Sequence, residues 1–189
     1  NNRTYPSKVN SKITKEYRLW TNMLERCTQK FWSKSPTYTG VACSDNFKSY
    51  TFFYEWCHKQ FGFGNKDDKG RLWQLDKDLL IRGNKVYSET TCVFVPQNIN
   101  SLLTRSEAKR GKYLIGVCWD KQQSRFGAYC KDGKGKKINL GKHSTEKEAF
   151  LAYKTFKEAL IKEFANNYRT QLDPRAYQAL MNYQVEIID

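Results

Sequence analysis

The chain has 189 residues, with 33 Lys plus Arg against 19 Asp plus Glu, a formal net charge of +14 and a pI near 9.5. Hydrophobic residues make up 39% and aromatics 15%, enough for one domain or two small ones with a packed core. The charge excess points to a polyanionic partner, nucleic acid first, and no apolar run approaches the ~20 residues of a membrane span.

Residues 1–13, "NNRTYPSKVNSKI", are polar and patternless and read as a tail. From Thr14, a candidate N-cap, Leu19, Trp20, Met23, Leu24 and Cys27 recur at helical spacing. "SKSPTYTG" ends that helix and "VACS" is a short strand. Asp45 then opens a second helix carrying Phe47, Tyr50, Phe53, Tyr54, Trp56 and Cys57. "GFGNKDDKGR" is a Gly-rich charged loop. The stretch "WQLDKDLLIRGNKVYSETTCVFVPQNIN" predicts a strand from Trp73 through Ile81, a turn at Gly83–Asn84 and a second strand "TCVFV". Pro96 ends that strand and a helix follows from "QNINSLLT".

A basic connector, residues 105–112, leads to three short strands, "YLIGVCW", "RFGAYCK" and "KKINLGK". Ser144 and Thr145 precede a long amphipathic helix whose face is Ala149, Phe150, Ala152, Tyr153, Phe156, Ala159, Leu160 and Phe164. Asp173 and Pro174 start a last short helix as N-cap and N1. The predicted class is α+β: N-terminal helices with a strand-turn-strand-helix unit, then a three-stranded antiparallel sheet packed on one long helix.

Six cysteines are scattered without a C-x-x-C pair. They read as reduced, buried small hydrophobes, and no zinc is expected. The chain begins at Asn1 without Met, so further residues before it are expected. His58 and His143 are the only histidines, one on a helix and one in a turn, and both read as structural. Asp67 and Lys69 form a D-x-K in the Gly-rich loop and read as solvated.

From Arg105 to Lys142 there are eleven Lys or Arg against three acids, a net +8 and more than half of the chain's net charge. One face of a sheet packed on a helix is covered and the other open, with side chains alternating between them. Trp119, Lys121, Arg125, Tyr129, Lys131, Lys137 and Asn139 are assigned to the open face. A twisted sheet of this size enters a DNA major groove. There lysines meet phosphates, Arg125 and Asn139 meet base edges, and Trp119 packs on sugar or a thymine methyl.

Two resemblances bear on these segments. Gly116-Val117, Phe126 to Ala128, Leu140-Gly141, Thr145 to Ala149 and Ala152-Tyr153 resemble the ethylene-response-factor (Apetala-type) DNA-binding domain, over about 50 residues. That implies double-stranded DNA binding through the sheet, with fewer arginines here on the first two strands. "LWTNMLERC", "PTYTGVACSDNF", "LDKDLLIRGNKVYSETTCVFVPQNIN" and "RGKYLIGVCW" resemble phage-encoded HNH-like (homing-type) endonucleases. The two resemblances imply a nuclease-type module over residues 14–104, an Apetala-type domain over 113–168 and a C-terminal helix and tail over 169–189.

The second resemblance implies a Mg²⁺ (or Mn²⁺) site. Asp76 matches the metal-binding Asp and Lys77 stands where that family has its general-base His. Asn84 lies in the intervening loop, Asn100 near the helical ligand position, and Asp78 completes an oxygen ligand set with Asp76 and Asn100. The flanking carboxylates favour a charged Lys77, suited to phosphate contact. The expectation is a double-stranded DNA-binding endonuclease or nickase in the cytoplasm of an infected cell. The alternative is a catalytically degenerate DNA-binding protein that regulates or inhibits a host system. A host protein partner for the aromatic N-terminal helices is a third possibility.

Overall fold

The computed structural model describes residues 4–104 and 112–187. The predicted connector, Lys112 excepted, lies outside the described residues. The chain divides into two units, Asn1–Val95 with Gln171–Ala176, and Pro96–Thr170 with Tyr177–Asp189. Among the described residues no helix is long and apolar enough to cross a membrane. The architecture is α+β.

In the first unit, the segment expected as a tail carries a small hairpin, β1 (Lys8–Val9) and β2 (Lys12–Ile13). Asn10 and Ser11 both adopt positive φ at its turn, the conformation that lets a two-residue loop follow the strand twist. Tyr5 stacks on Tyr54 at 3.9 Å and Tyr50 Oη donates to the Pro6 carbonyl at 3.1 Å, so aromatic contacts hold the segment.

Helix α1 (Lys15–Arg26) starts where Thr14 Oγ1 accepts the Tyr17 amide. It stops at Cys27, earlier than predicted, because Thr28 caps a new helix, α2 (Gln29–Lys34). After a 3-10 turn at Pro36–Tyr38 comes β3 (Ala42–Cys43). The predicted second helix is two, α3 (Asp45–Lys48) and α4 (Tyr50–His58), capped by Ser44 and Ser49. Met23, Phe47, Phe53 and Trp56 form the core with the later strands, and Trp20 Nε1 donates to the Phe47 carbonyl at 2.8 Å.

Strand β4 (Gln74–Asp76) ends at Asp76, five residues before the predicted end. Leu79 and Leu80 are half-buried and Ile81 is exposed, so the apolar run that suggested a strand forms a loop. β5 (Val86–Tyr87) pairs in parallel with β3, and β6 (Val93–Val95) pairs antiparallel with β4, Asp76 opposite Val93. Gly62 (φ +77°) allows the Trp73 ring to lie on its backbone, where a Cβ would sit 2.3 Å from the ring.

The second unit opens with α5 (Gln97–Leu103), the predicted helix. β7 (Val117–Asp120), β8 (Arg125–Lys131) and β9 (Lys137–His143) form an antiparallel sheet in that order. β7 begins four residues later than "YLIGVCW" predicts, because Gly116 (φ +78°) turns the chain first. A bulge places Leu140 and Gly141 opposite Ala128 alone, between the pairs Gly127–Lys142 and Tyr129–Asn139. Helix α6 (Glu146–Asn167) starts with a reciprocal capping box between Thr145 and Glu148. It buries Phe150 and Tyr153 with Cys130 and Val185, while Val117, Leu140 and Phe156 pack alongside. Of the predicted face, Ala159 is exposed and Ile161 is buried instead. The last helix, α7 (Pro174–Met181), starts after Asp173, whose Oδ1 accepts the Arg175 amide.

Tyr153 approaches the Gly116 backbone so closely that a Cβ there would lie 2.1 Å from its ring. Gly116→Ala therefore combines a positive-φ penalty with a clash in the core, and is expected to destabilise the protein by about 2–4 kcal/mol. Gly135→Ala, at a positive φ with open space around it, carries only a backbone penalty of about 1 kcal/mol. Urea unfolding of the two variants checks the difference.

Candidate nucleic-acid interface and acidic pair

Direct cross-strand partners share a sheet face. Val117, Ala128 and Cys130 lie on the face that meets α6. The other face therefore takes Cys118, Asp120, Arg125, Gly127, Tyr129, Lys131, Lys137, Asn139 and Lys142. Five of the seven residues assigned from sequence are on it: Arg125, Tyr129, Lys131, Lys137 and Asn139.

The other two are not. Trp119 is opposite Phe126, with ring centroids 4.7 Å apart, and shares the helix-facing side with Val117. At 36% exposed it lies at the edge of that side. The strand phase was misjudged by one residue there, and one residue reverses the face. Lys121 lies in the turn between β7 and β8 and is exposed.

Tyr129 is the centre of the open face. Its ring lies over Gly127, where a Cβ would meet the ring at 2.8 Å and Lys142 Nζ at 3.3 Å. Lys137 Nζ stands 3.8 Å from the ring centroid and Lys142 Nζ 5.8 Å. Lys142 also pairs with Asp120, whose carboxyl is held below the usual carboxylate range, first by that hydrogen bond. Lys131 and Lys137 are direct cross-strand partners, an arrangement of like charges that costs stability. Arg125 is exposed and Nη1 donates to Ser144 Oγ at 3.2 Å. Asn139 Oδ1 accepts the Gly141 amide across the bulge, which leaves its NH₂ as a donor.

Sequence reading missed Gly127, Cys118 and Lys142. A glycine in mid-strand signals close backbone approach, and counting by twos from Arg125 reaches both Gly127 and Tyr129. Lys142 lies beyond the bulge, which breaks that count. Cys118 is exposed on this face, against the expectation that all six cysteines are buried.

In the first unit, Asp76 is 8% exposed. Its Oδ1 accepts the amides of Asp78 (2.9 Å) and Leu79 (2.7 Å), which ends β4 and turns the chain. Burial first, and then the charge of Asp78, push its carboxyl up to about 6, against the pull of the two amides. Lys77, also 8% exposed, donates from Nζ to the Asn84 carbonyl at 3.0 Å and lies 3.4 Å from Asp78 Oδ2. It is thus engaged as a donor.

Asn84 is a loop clamp. Its Nδ2 donates to the Lys77 and Val86 carbonyls and its Oδ1 accepts the Val86 amide. The orienting role implied for Asn84 is not available to a side chain held this way. Asn100 lies on α5, in the second unit, so the first unit brings together only Asp76 and Asp78 of the implied ligand set.

Among the described residues no group of three or more His, Cys, Asp and Glu is placed to hold a metal. Two carboxylates raising one another's proton affinity nevertheless suit a hard divalent cation, and Asp76 keeps Oδ2 for it. His58 Nε2 lies 3.1 Å from Oε1 of the buried Glu16 and His143 Nε2 lies 3.3 Å from the Leu140 carbonyl, both structural settings. Asp67, expected in solvent, is buried and accepts the Lys69 and Arg71 amides and the Arg71 side chain.

No family model, curated protein or solved structure matches the chain.

The raised Asp76 carboxyl carries a pH signature. Its folded value is near 6 and its unfolded value near 3.8, so the folded state holds an extra proton between them. Its contribution to stability is present below about pH 4 and is lost as pH rises through 6. Asp76→Asn keeps the Oδ1 acceptor without the charge. The variant is expected to be more stable than the wild type at pH 7.5, by on the order of 1–3 kcal/mol, with the gap closing at pH 4. Urea melts at both pH values measure it.

Proposed function

We propose that the protein binds double-stranded DNA through the open face of β7–β9. The observation that carries the reading is the Lys131–Lys137 cross-strand pair beside Tyr129 and Lys142. This is a repulsive cluster on an exposed sheet with Asp120 as its only carboxylate, and phosphates relieve such repulsion. Lys131, Lys137 and Lys142 take the backbone, while Arg125 and the Asn139 amide reach base edges in the major groove. The Tyr129 ring supports the lysine heads and packs against sugar.

A second reading rests on Asp76 and Asp78: Mg²⁺- or Mn²⁺-dependent cleavage or nicking of the bound DNA, in the manner of the HNH-like endonucleases. Asp76 Oδ2 and Asp78 would hold the cation, which neutralises phosphate charge and activates water. Lys77 and Asn84 hold the loop rather than the reacting atoms. The form of this proposal without catalysis is a DNA-binding regulator or inhibitor acting in an infected cell.

Gel shifts on duplex DNA across a salt series test the interface. Lys137→Ala and Arg125→Ala are expected to weaken binding, and each phosphate contact removed should shallow the log–log salt slope by about 0.9. Unchanged affinity and slope in both variants would exclude the sheet as the reader. Supercoiled plasmid with Mg²⁺ or Mn²⁺ tests cleavage, which Asp76→Ala is expected to abolish. Cleavage surviving that change would sink the acidic-pair assignment. No cleavage with either metal, with gel shifts intact, leaves the regulator form.

A further inference from the structure

The first unit contains a pocket of about 210 Å³ between α1 and the loop that leads into β4. Neither the open sheet face nor the acidic pair is part of it. Lys15, Arg18, Asn22 and Arg26 follow one another at helical spacing on α1 and form one wall. Phe63, Trp73 and Phe94 form the aromatic floor. Phe63 and Phe94 are 5.3 Å apart by centroid. No carboxylate lines the space.

Two glycines of "FGFG" shape it. Gly62 lets Trp73 settle against the backbone. Gly64 (φ +81°) leaves room for Lys15 Nζ, which a Cβ would meet at 2.8 Å. Lys15 Nζ in turn lies 4.5 Å from the Phe63 ring centroid, at the mouth. Among the described residues neither Lys15 nor Arg18 pairs with a carboxylate, and both are exposed. Gln74 at the end of the floor and Asn22 on the wall supply amide groups.

We infer that this pocket binds one nucleotide unit, with the base on the aromatic floor and the phosphate at Lys15 and Arg18. The volume is below the ~300 Å³ at which pockets for drug-sized ligands begin, so it takes one flat ring rather than a base pair. Rings stack on any base through its π face. The Asn22 and Gln74 amides can hydrogen-bond a base edge. The two unpaired cations at the mouth fit a phosphate, and the apolar floor gives an inorganic anion nothing further. The nucleotide is either free or an unpaired residue of a strand; the chemistry is the same. The inference concerns the first unit alone and does not depend on DNA binding by the sheet.

Calorimetric titration of the full-length protein tests it, with dAMP, adenosine, inorganic phosphate and a short single-stranded oligonucleotide as probes. Saturable binding of dAMP is expected, at least tenfold tighter than adenosine or phosphate. Arg18→Glu and Lys15→Glu, both at exposed positions, should each weaken it at least tenfold with an unchanged melting temperature. Gly62→Ala drives a Cβ into Trp73 and should also weaken it, as an independent probe of the floor. If the oligonucleotide binds tighter than dAMP with the same sensitivity to Arg18→Glu, the pocket holds a nucleotide of a strand. If dAMP binds as tightly, it holds a free nucleotide. Phosphate binding as well as dAMP, or dAMP affinity indifferent to both charge reversals, overturns the proposal.

Discussion

One local interaction recurs through the chain: an aspartate Oδ1 accepting backbone amides two to four residues further on. Asp67 takes the amides of Lys69 and Arg71, Asp76 those of Asp78 and Leu79, Asp120 those of Gln122 and Gln123, and Asp132 those of Lys134 and Lys136. Each satisfies turn amides that would otherwise lack a partner. Each also fixes where a strand or loop changes direction. β4 ends at Asp76, β7 at Asp120, and the β8–β9 turn is organised by Asp132. The glutamates at α6 act similarly, Glu148 on the Ser144 and Thr145 amides and Glu146 on the Leu114 amide.

This use of acids bears directly on function. With 19 acids in the chain, those engaged with backbone amides have fewer oxygens to offer the lysines and arginines. A net charge of +14 is then concentrated on surfaces instead of being cancelled across them, and self-repulsion disfavours the compact state until a polyanion arrives. The open sheet face is the clearest case. Asp120 is its only carboxylate and also serves the β7–β8 turn, while Lys131 and Lys137 oppose one another across the strands.

The same device explains which parts of the structure were legible. Caps and periodicity located α1, α5, α6 and α7, because Thr14, Thr145 and Asp173 are side chains whose local chemistry suffices to start a helix. The three strands of the sheet were legible from their turns. The extent of β4 was not, since "LDKDLLI" has the composition of a strand and only the Asp76 carboxylate, turned back on its own backbone, stops it. For the same reason Asp76 and Asp78 look alike in sequence as ligands, although one is buried and holds a turn while the other is exposed. Asn84 carries the residue type of a catalytic orienter and the contacts of a loop clamp. Lys142 was hidden by a bulge, and Trp119 by a single step of strand phase.

What holds the cations in place, where carboxylates do not, is aromatic. Lys137 Nζ stands 3.8 Å from the centre of the Tyr129 ring and Lys15 Nζ 4.5 Å from that of Phe63. In each case a glycine, Gly127 or Gly64, clears the space that the arrangement needs. A ring attracts an ammonium by its quadrupole but carries no net charge. The lysine is therefore positioned without being neutralised, and keeps its full attraction for a phosphate. A carboxylate partner would position it equally well and cancel it. Two units with unrelated architectures thus reach the same solution, an oriented and uncompensated cation beside a flat apolar surface, which is the complement of a phosphate next to a sugar or a base.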